Sequence, residues 1–267
     1  MSATLAGRRL LVIGASAGIG RAVGQAAVRA GADAVLVGRR RERLDEVIAD
    51  AGGGHALVAD IADADDCTAL VASAVDALGE IDALLVCSGT SGLSLLRDTA
   101  QPEWRQVFDV NVIGPSLVTT AALPHLASGA FVGYLSSEAV GRPRHGLVHY
   151  SASKAALEET IRGWRTEQPE VRFCCICVGA TVGTEFARDF ETDVAASLFP
   201  SWVAQAQMAA GMMEVDDVGR AVVELVDTAL AHPDIDLQDV TLRPPGPLME
   251  SADVIMETFE ENKAGQP

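Results

Sequence analysis

The chain has 267 residues, 49% of them hydrophobic, 4% aromatic and 21% charged, which is enough apolar material for a large aliphatic core. A net charge of −17, spread along the chain, argues against a nucleic-acid partner and against binding to anionic membranes. The first apolar run, LLVI, meets glycine after four residues, and no later window approaches the roughly 18 uninterrupted apolar residues of a membrane span; we expect a cytoplasmic protein.

In chain order, apolar strand-like runs alternate with helical patterns. RLLVIG (9–14) leads to a helix ending near Gly31, AVLVG (34–38) to a helix ending near Ala51, and HALVA (55–59) to a helix near 64–78. DALLVCSG (82–89) precedes a long helix opening around Pro102, a residue favoured in a first turn. GAFVGYLSS (129–137), a helix over about 149–167, VRFCCICVG (171–179), a helix over about 215–231 and DVTLR (239–243) complete the series. Strands apolar on both faces and separated by amphipathic helices predict a Rossmann-type α/β fold. It is a doubly wound parallel sheet of about seven strands with helices on both faces. One domain is expected over residues 1–247, followed by an acidic tail over 248–267 that is frayed or contacts a partner.

The five cysteines are an odd number, which speaks against a disulfide framework. Three of them crowd into FCCICV, but on a strand Cys175 and Cys177 face one way and Cys174 the other. No second Cys or His cluster completes a metal site, so they read as buried small hydrophobes.

The segment LLVIGASAGIG can be punctuated in two ways. As G-x-S-x-G (Gly14, Ser16, Gly18) it matches the nucleophile elbow of a serine hydrolase. That elbow needs an oxyanion loop from an earlier strand, and none precedes it; no Asp or His sits in a recognisable partner motif. As a glycine-rich turn (Gly14, Gly18, Gly20) opening the helix GIGRAVGQAAVRAG, it turns backbone amides and a helix dipole toward a pyrophosphate. The second strand then ends at Gly38 and is followed by Arg39, Arg40 and Arg41, with no carboxylate until Glu42. Arginine there accommodates the 2′-phosphate of NADP, where NAD needs an acid, so NADP is favoured over NAD. Arg40 and Arg41 read better than Arg39 as a solvated helix start.

Only Lys154 and Lys263 are lysines among the 20 basic residues. Lys154 lies four residues after Tyr150 in YSASK, on one helical face. A free tyrosine titrates near 10; a neighbouring ammonium, together with a positively charged nicotinamide, favours the phenolate and lowers that value toward neutrality.

With these motifs in order, the sequence resembles the short-chain dehydrogenase/reductase family in its classical subgroup, from about Leu10 to Arg243. GASAGIG matches its glycine motif (Gly14, Ser16, Gly18, Ile19, Gly20), Asp60-Ile61 its adenine-contacting pair, Asn111 in NVIG its helix asparagine, and Ser137, 13 residues before Tyr150, its serine. The resemblance implies catalytic Asn111, Ser137, Tyr150 and Lys154. Tyr150 exchanges a proton with the substrate oxygen and Ser137 hydrogen-bonds that oxygen. Lys154 binds the nicotinamide ribose, and Asn111 holds a water in a proton relay. It further implies cofactor contacts by Arg39, Ser88, Gly89, Gly179, Val182 and Thr184.

Three departures stand out. Val86-Cys87-Ser88-Gly89 replaces the family's Asn-Asn-Ala-Gly, Val178-Gly179 replaces Pro-Gly, and Ile13 and Ala17 occupy places where threonine and a basic residue are usual. The expected function is NADP(H)-dependent hydride transfer with a fairly hydrophobic small-molecule carbonyl/alcohol substrate. A cofactor-binding scaffold with little turnover is the alternative. The resemblance places a substrate lid at about 185–213 in a single dinucleotide-binding and catalytic domain over 1–247. Its Phe199, Trp202, Met208, Met212 and Met213 read equally well as apolar substrate contacts or as a helix packed on its own domain or a neighbouring subunit. Glu138 and His145 read better as loop surface than as contacts to a polar substrate group. The resemblance also implies a homodimer or homotetramer, with Ala155, Ala156 and Leu157 keeping the Tyr-Lys helix small enough to pack.

Overall fold

The first strand, β1 (Arg9–Ile13), runs into α1 (Gly18–Arg29), and the same alternation continues through β2 (Asp33–Gly38), α2 (Arg41–Ala51), β3 (His55–Val58), α3 (Ala64–Leu78) and β4 (Ile81–Val86) in this computed structural model, which describes residues 4–264. Next come α4 (Gln101–Phe108), a π-turn over Asp109–Ile113, α5 (Gly114–Ala122), β5 (Leu126–Ser137), α6 (Val148–Glu167) and β6 (Arg172–Val178). The last third contains β7 (Thr181–Val182), α7 (Thr192–Ala204), β8 (Met213–Glu214), α8 (Val215–Ala231), β9 (Asp239–Leu242) and α9 (Ala252–Ala264).

Seven strands form one sheet in the order β3-β2-β1-β4-β5-β6-β9, every pair parallel, as the alternation predicts. The two-residue strands β7 and β8 pair separately. Each central strand sends alternate side chains to opposite faces. Leu10, Val12, Leu36 and Ile176 meet α1, α2 and α8 on one side, whereas Leu11, Ile13, Val35 and Phe173 meet α3, α5 and α6 on the other. Cys174 points into the first layer and Cys175 into the second, both buried, so the cysteine run does pack as small hydrophobes.

Local signals place the helix ends. Asp63 caps α3 by accepting from the amides of Asp65 and Asp66, and α2 stops at Gly52, which takes the left-handed conformation with φ 84°. Pro102 lies in the first turn of α4 as expected. The helical run Gln101–His125 is, by length and composition alone, apolar enough to cross a membrane, with mean hydropathy 1.2 in its best window. That is more than the sequence reading anticipated. Here Val118 and Ala122 of this run are buried in the helix layer with α3.

Two expectations are corrected. The tail is not frayed over 252–264: it forms α9, and Ile255 and Phe259 are buried against Phe199 and Trp202. Residues 265–267 lie outside the described residues. Leu157 is buried in the core layer under α6, which leaves only Ala155 and Ala156 of the three for contact with a neighbour.

Candidate active site

The strand order reverses between β1 and β4, and a cleft of about 370 Å³ opens there at the carboxyl ends of the strands. Its floor requires glycine. A Cβ on Gly14, which has φ 83°, would lie 2.7 Å from the amide nitrogen of Ser88, and one on Gly20 would lie 2.2 Å from the carbonyl oxygen of Gly14. Backbone therefore approaches backbone at the start of α1, and the helix N-terminus faces the cleft with no side chain capping it.

Most of the expected residues meet in this cleft. Gly14, Ser16, Gly18, Ile19, Gly20, Arg39, Asp60, Ile61, Ser88, Gly89, Ser137, Tyr150, Lys154, Gly179 and Thr184 all line it. Val182 does not; it belongs to the β7–β8 pair. Asn111 does not line it either. It is fully buried in the π-turn, where its side-chain amide donates to the carbonyl of Thr90 and to Ser153 Oγ, both at 2.9 Å, and its oxygen accepts from the Thr90 amide at 2.8 Å. In this arrangement Asn111 ties the loop after β4 to α6.

Ser16 lies against the end of β2, where a Cβ on Gly38 would come within 2.8 Å of the Ser16 Cβ. No histidine lines the cleft among the described residues, so the G-x-S-x-G punctuation finds no base here. Arg39 reaches Asp60 at 3.7 Å with its side chain largely in solvent. Arg40 corrects the expectation of a merely solvated residue: it lines the cleft and pairs with both carboxylate oxygens of Glu185, at 3.2 and 2.8 Å, joining the start of α2 to the lid. Arg41 is the surface residue expected, paired with Asp45.

At the other end of the cleft, Ser137 hydrogen-bonds Tyr150, and Tyr150 is buried. Burial pushes the phenol above its ordinary range, while Ser137 and the positive charge of Arg144 oppose that rise. The expectation that Lys154 lowers the tyrosine value is thus not met by the protein alone. Lys154 is itself buried, donates from Nζ to the Leu135 carbonyl at 2.8 Å, and is pushed down to about 8 by desolvation.

Two features escaped the sequence reading, and the placement of His145 bears out the loop-surface reading. The Phe186 ring meets Tyr150 edge-on, with centroids 5.1 Å apart. Arg144 pairs with Glu138, donates to the Gln207 carbonyl at 3.2 Å and stacks over Trp202. His145 is turned away, with its ring on Ser201 and its carbonyl accepting from Trp202 Nε1. Of these, Glu138 was noticed as a loop acid, but nothing in a single sequence pairs it with Arg144.

A nicotinamide dinucleotide fits this cleft by its own chemistry. The glycine floor leaves a cradle that side chains would fill, and Ser88 Oγ is buried beside it without a hydrogen-bond partner among the described residues. Ser88 stands where the family has alanine, so this hydroxyl is an added donor at the cradle.

The comparisons agree with the geometry. The family described as short chain dehydrogenase matches residues 8–195. A short chain dehydrogenase of Pseudocercospora fijiensis is 36% identical over 166 residues, covering 58% of this chain and 53% of that protein. An 11-beta-hydroxysteroid dehydrogenase-like protein of Arabidopsis thaliana is 31% identical over 176 residues, covering 62% of this chain and 56% of its own. The match therefore spans little more than half the length of these curated relatives. The alcohol dehydrogenase of the archaeon Thermococcus sibiricus, solved with 5-hydroxy-NADP, superposes with a TM-score of 0.76 at 21% identity, covering 90% of this chain and 99% of that one; at that identity it speaks for the fold. The chain belongs to the short-chain dehydrogenase/reductase family, oxidoreductases built on an NAD(P)-binding fold.

Proposed function

We propose that the protein is an NADP(H)-dependent oxidoreductase acting on a carbonyl/alcohol pair, with Tyr150 as general acid and base. The observation that carries this reading is that the glycine floor, Arg39, Ser137, Tyr150 and Lys154 line one continuous cleft. The glycine turn and the first turn of α1 would hold the pyrophosphate, Arg39 the 2′-phosphate, and Asp60 and Ile61 the adenine end. Lys154 and Thr184 would lie at the nicotinamide end. When bound, the cofactor supplies or accepts the hydride at the carbonyl carbon.

In reduction, the Tyr150 phenol donates its proton to the carbonyl oxygen as that oxygen gains charge, leaving a phenolate that is reprotonated from solvent. In oxidation the phenolate takes the hydroxyl proton. Ser137 Oγ donates to the same oxygen and stabilises the developing charge. Burial of Tyr150 disfavours the phenolate; the Ser137 hydrogen bond and the Arg144 charge offset part of that cost. The cleft's further contribution would be to hold the carbonyl carbon and the cofactor in position for hydride transfer.

The test is a panel of ketones and alcohols run with NADPH and NADH on the wild type and Tyr150→Phe. We expect the variant to lose about 10²- to 10⁴-fold in kcat while NADPH binding, read by its fluorescence, is retained. An undiminished variant removes Tyr150 from the chemistry. Cofactor binding without turnover on any substrate favours the scaffold reading, which the loss of both asparagines in Val86-Cys87-Ser88-Gly89 motivates.

A further inference from the structure

We infer that the substrate carries a ring-sized apolar arm, neutral or anionic, and that α9 walls the chamber that receives it. The inference rests on the oxidoreductase reading and gives it a substrate class. A second cavity of about 120 Å³ abuts the cofactor cleft, sharing Arg144, Thr184 and Phe186 with it. Because Phe186 meets Tyr150 edge-on, this chamber begins one ring beyond the phenol. Apolar cavities of about 150 Å³ accept benzene, so the volume suits one ring and excludes a fused polycycle without rearrangement.

The far walls are aromatic and aliphatic: Phe199 and Trp202 of α7, Met212, and Ile255 and Phe259 of α9. They are locked together, with ring centroids 4.6 Å apart for Phe199 and Trp202 and 5.7 Å apart for Phe199 and Phe259. All five lie beyond residue 195, where the family match ends, so membership of the family does not by itself specify them.

Charge narrows the class further. In a chain of net charge −17, the charged residues lining this chamber among the described residues are Arg144, Arg188 and Lys263. Arg144 is paired with Glu138 and Arg188 with Glu185 and Asp189, which leaves Lys263 as the cation of the three with no ion pair to a carboxylate among the described residues. Lys263 Nζ donates to the Phe190 carbonyl at 3.1 Å and sits over the Phe259 ring. An arm bearing a carboxylate is therefore accepted beside Lys263 at the rim, whereas one bearing a fixed cation meets that ammonium.

Two variants test this. Ala187→Phe, in the turn at the chamber wall, fills the space; Phe259→Ala opens it. We expect Ala187→Phe to lower the ratio of kcat/KM for acetophenone over 2-butanone at least tenfold, and Phe259→Ala to raise that for 2-acetylnaphthalene over acetophenone. With the wild type, 4-acetylbenzoate should outperform 4-acetyl-N,N,N-trimethylanilinium. Ratios unchanged in both variants overturn the chamber, and a preference for the cation overturns the charge argument. A cofactor-free titration of Trp202 fluorescence with 1-phenylethanol keeps the two proposals apart. If no ketone is turned over but the alcohol binds wild type and not Ala187→Phe, the oxidoreductase reading fails and the chamber stands. Equal binding to both, or none to wild type, overturns the chamber whatever the catalytic result.

Discussion

Lys154 donates its Nζ proton to the Leu135 carbonyl at 2.8 Å, so the one lysine of the YSASK pair is anchored to the central sheet. Two links follow from that placement. Desolvation brings the ammonium down to about 8, and the anchored Nζ lies 3.5 Å from where a side chain on Gly89 would begin, at the cleft wall.

The depressed value sets a pH dependence of stability. Between about 8 and the ordinary 10.5, the unfolded chain holds the Lys154 proton and the folded chain does not. Stability contributed at this position therefore rises with pH through that window; the full desolvation cost is felt below about 8. The wild type should gain stability relative to Lys154→Met from pH 8 to pH 10.5, read as the difference in urea midpoints in the absence of cofactor. A difference that is flat or falls with pH contradicts the assignment.

The Phe186 ring over Tyr150 predicts a shift in the activity profile. Burial holds the phenol above its ordinary range, so admitting water lowers it. If Tyr150 is the acid in ketone reduction, as proposed, the reaction needs the protonated phenol and kcat/KM falls as Tyr150 ionises. In Phe186→Ala that alkaline limb should move to lower pH, and an unmoved limb would show that Phe186 does not shield the phenol.

Arg39 pairs only loosely with Asp60, at 3.7 Å, and remains available to a phosphate. Arg39→Asp places a carboxylate beside Asp60 and removes a charge-assisted contact worth about 1.5–3 kcal/mol. That corresponds to roughly a tenfold or larger loss of NADPH affinity. NADH, which lacks the 2′-phosphate, should lose far less. Equal losses in a fluorescence titration would dismiss the role.

Two glycines separate cradle from scaffold. Gly20→Ala drives a Cβ to 2.2 Å from the Gly14 carbonyl oxygen, and should destabilise the chain by about 1–3 kcal/mol and abolish cofactor binding. Gly163→Ala, within α6 and with open space where its Cβ would go, should stabilise by about 0.5–1 kcal/mol and leave binding intact. Thermal melts with and without NADPH read both effects.

The sequence by itself determined the sheet and the cleft. Two-sided apolar strands have no stable home except between helix layers, and the glycines at 14, 18 and 20 suit a backbone-lined turn that Arg39 and the Tyr150-Lys154 pair assign to a dinucleotide rather than to a serine nucleophile. The tyrosine and lysine were legible because four residues apart they share one helical face, and the serine only through the resemblance to the family. Only the tertiary structure decided what depends on distant partners. Tyr150 is raised because α6, β5 and the Phe186 turn exclude water from it, and Asn111 is consumed by Thr90 and Ser153 because a π-turn rotates it inward. Arg40 finds Glu185 across 145 positions, and α9 closes a chamber that an acidic tail gave no reason to expect. Desolvation and pairing are properties of the space between elements, and local spacing along a chain carries no record of them.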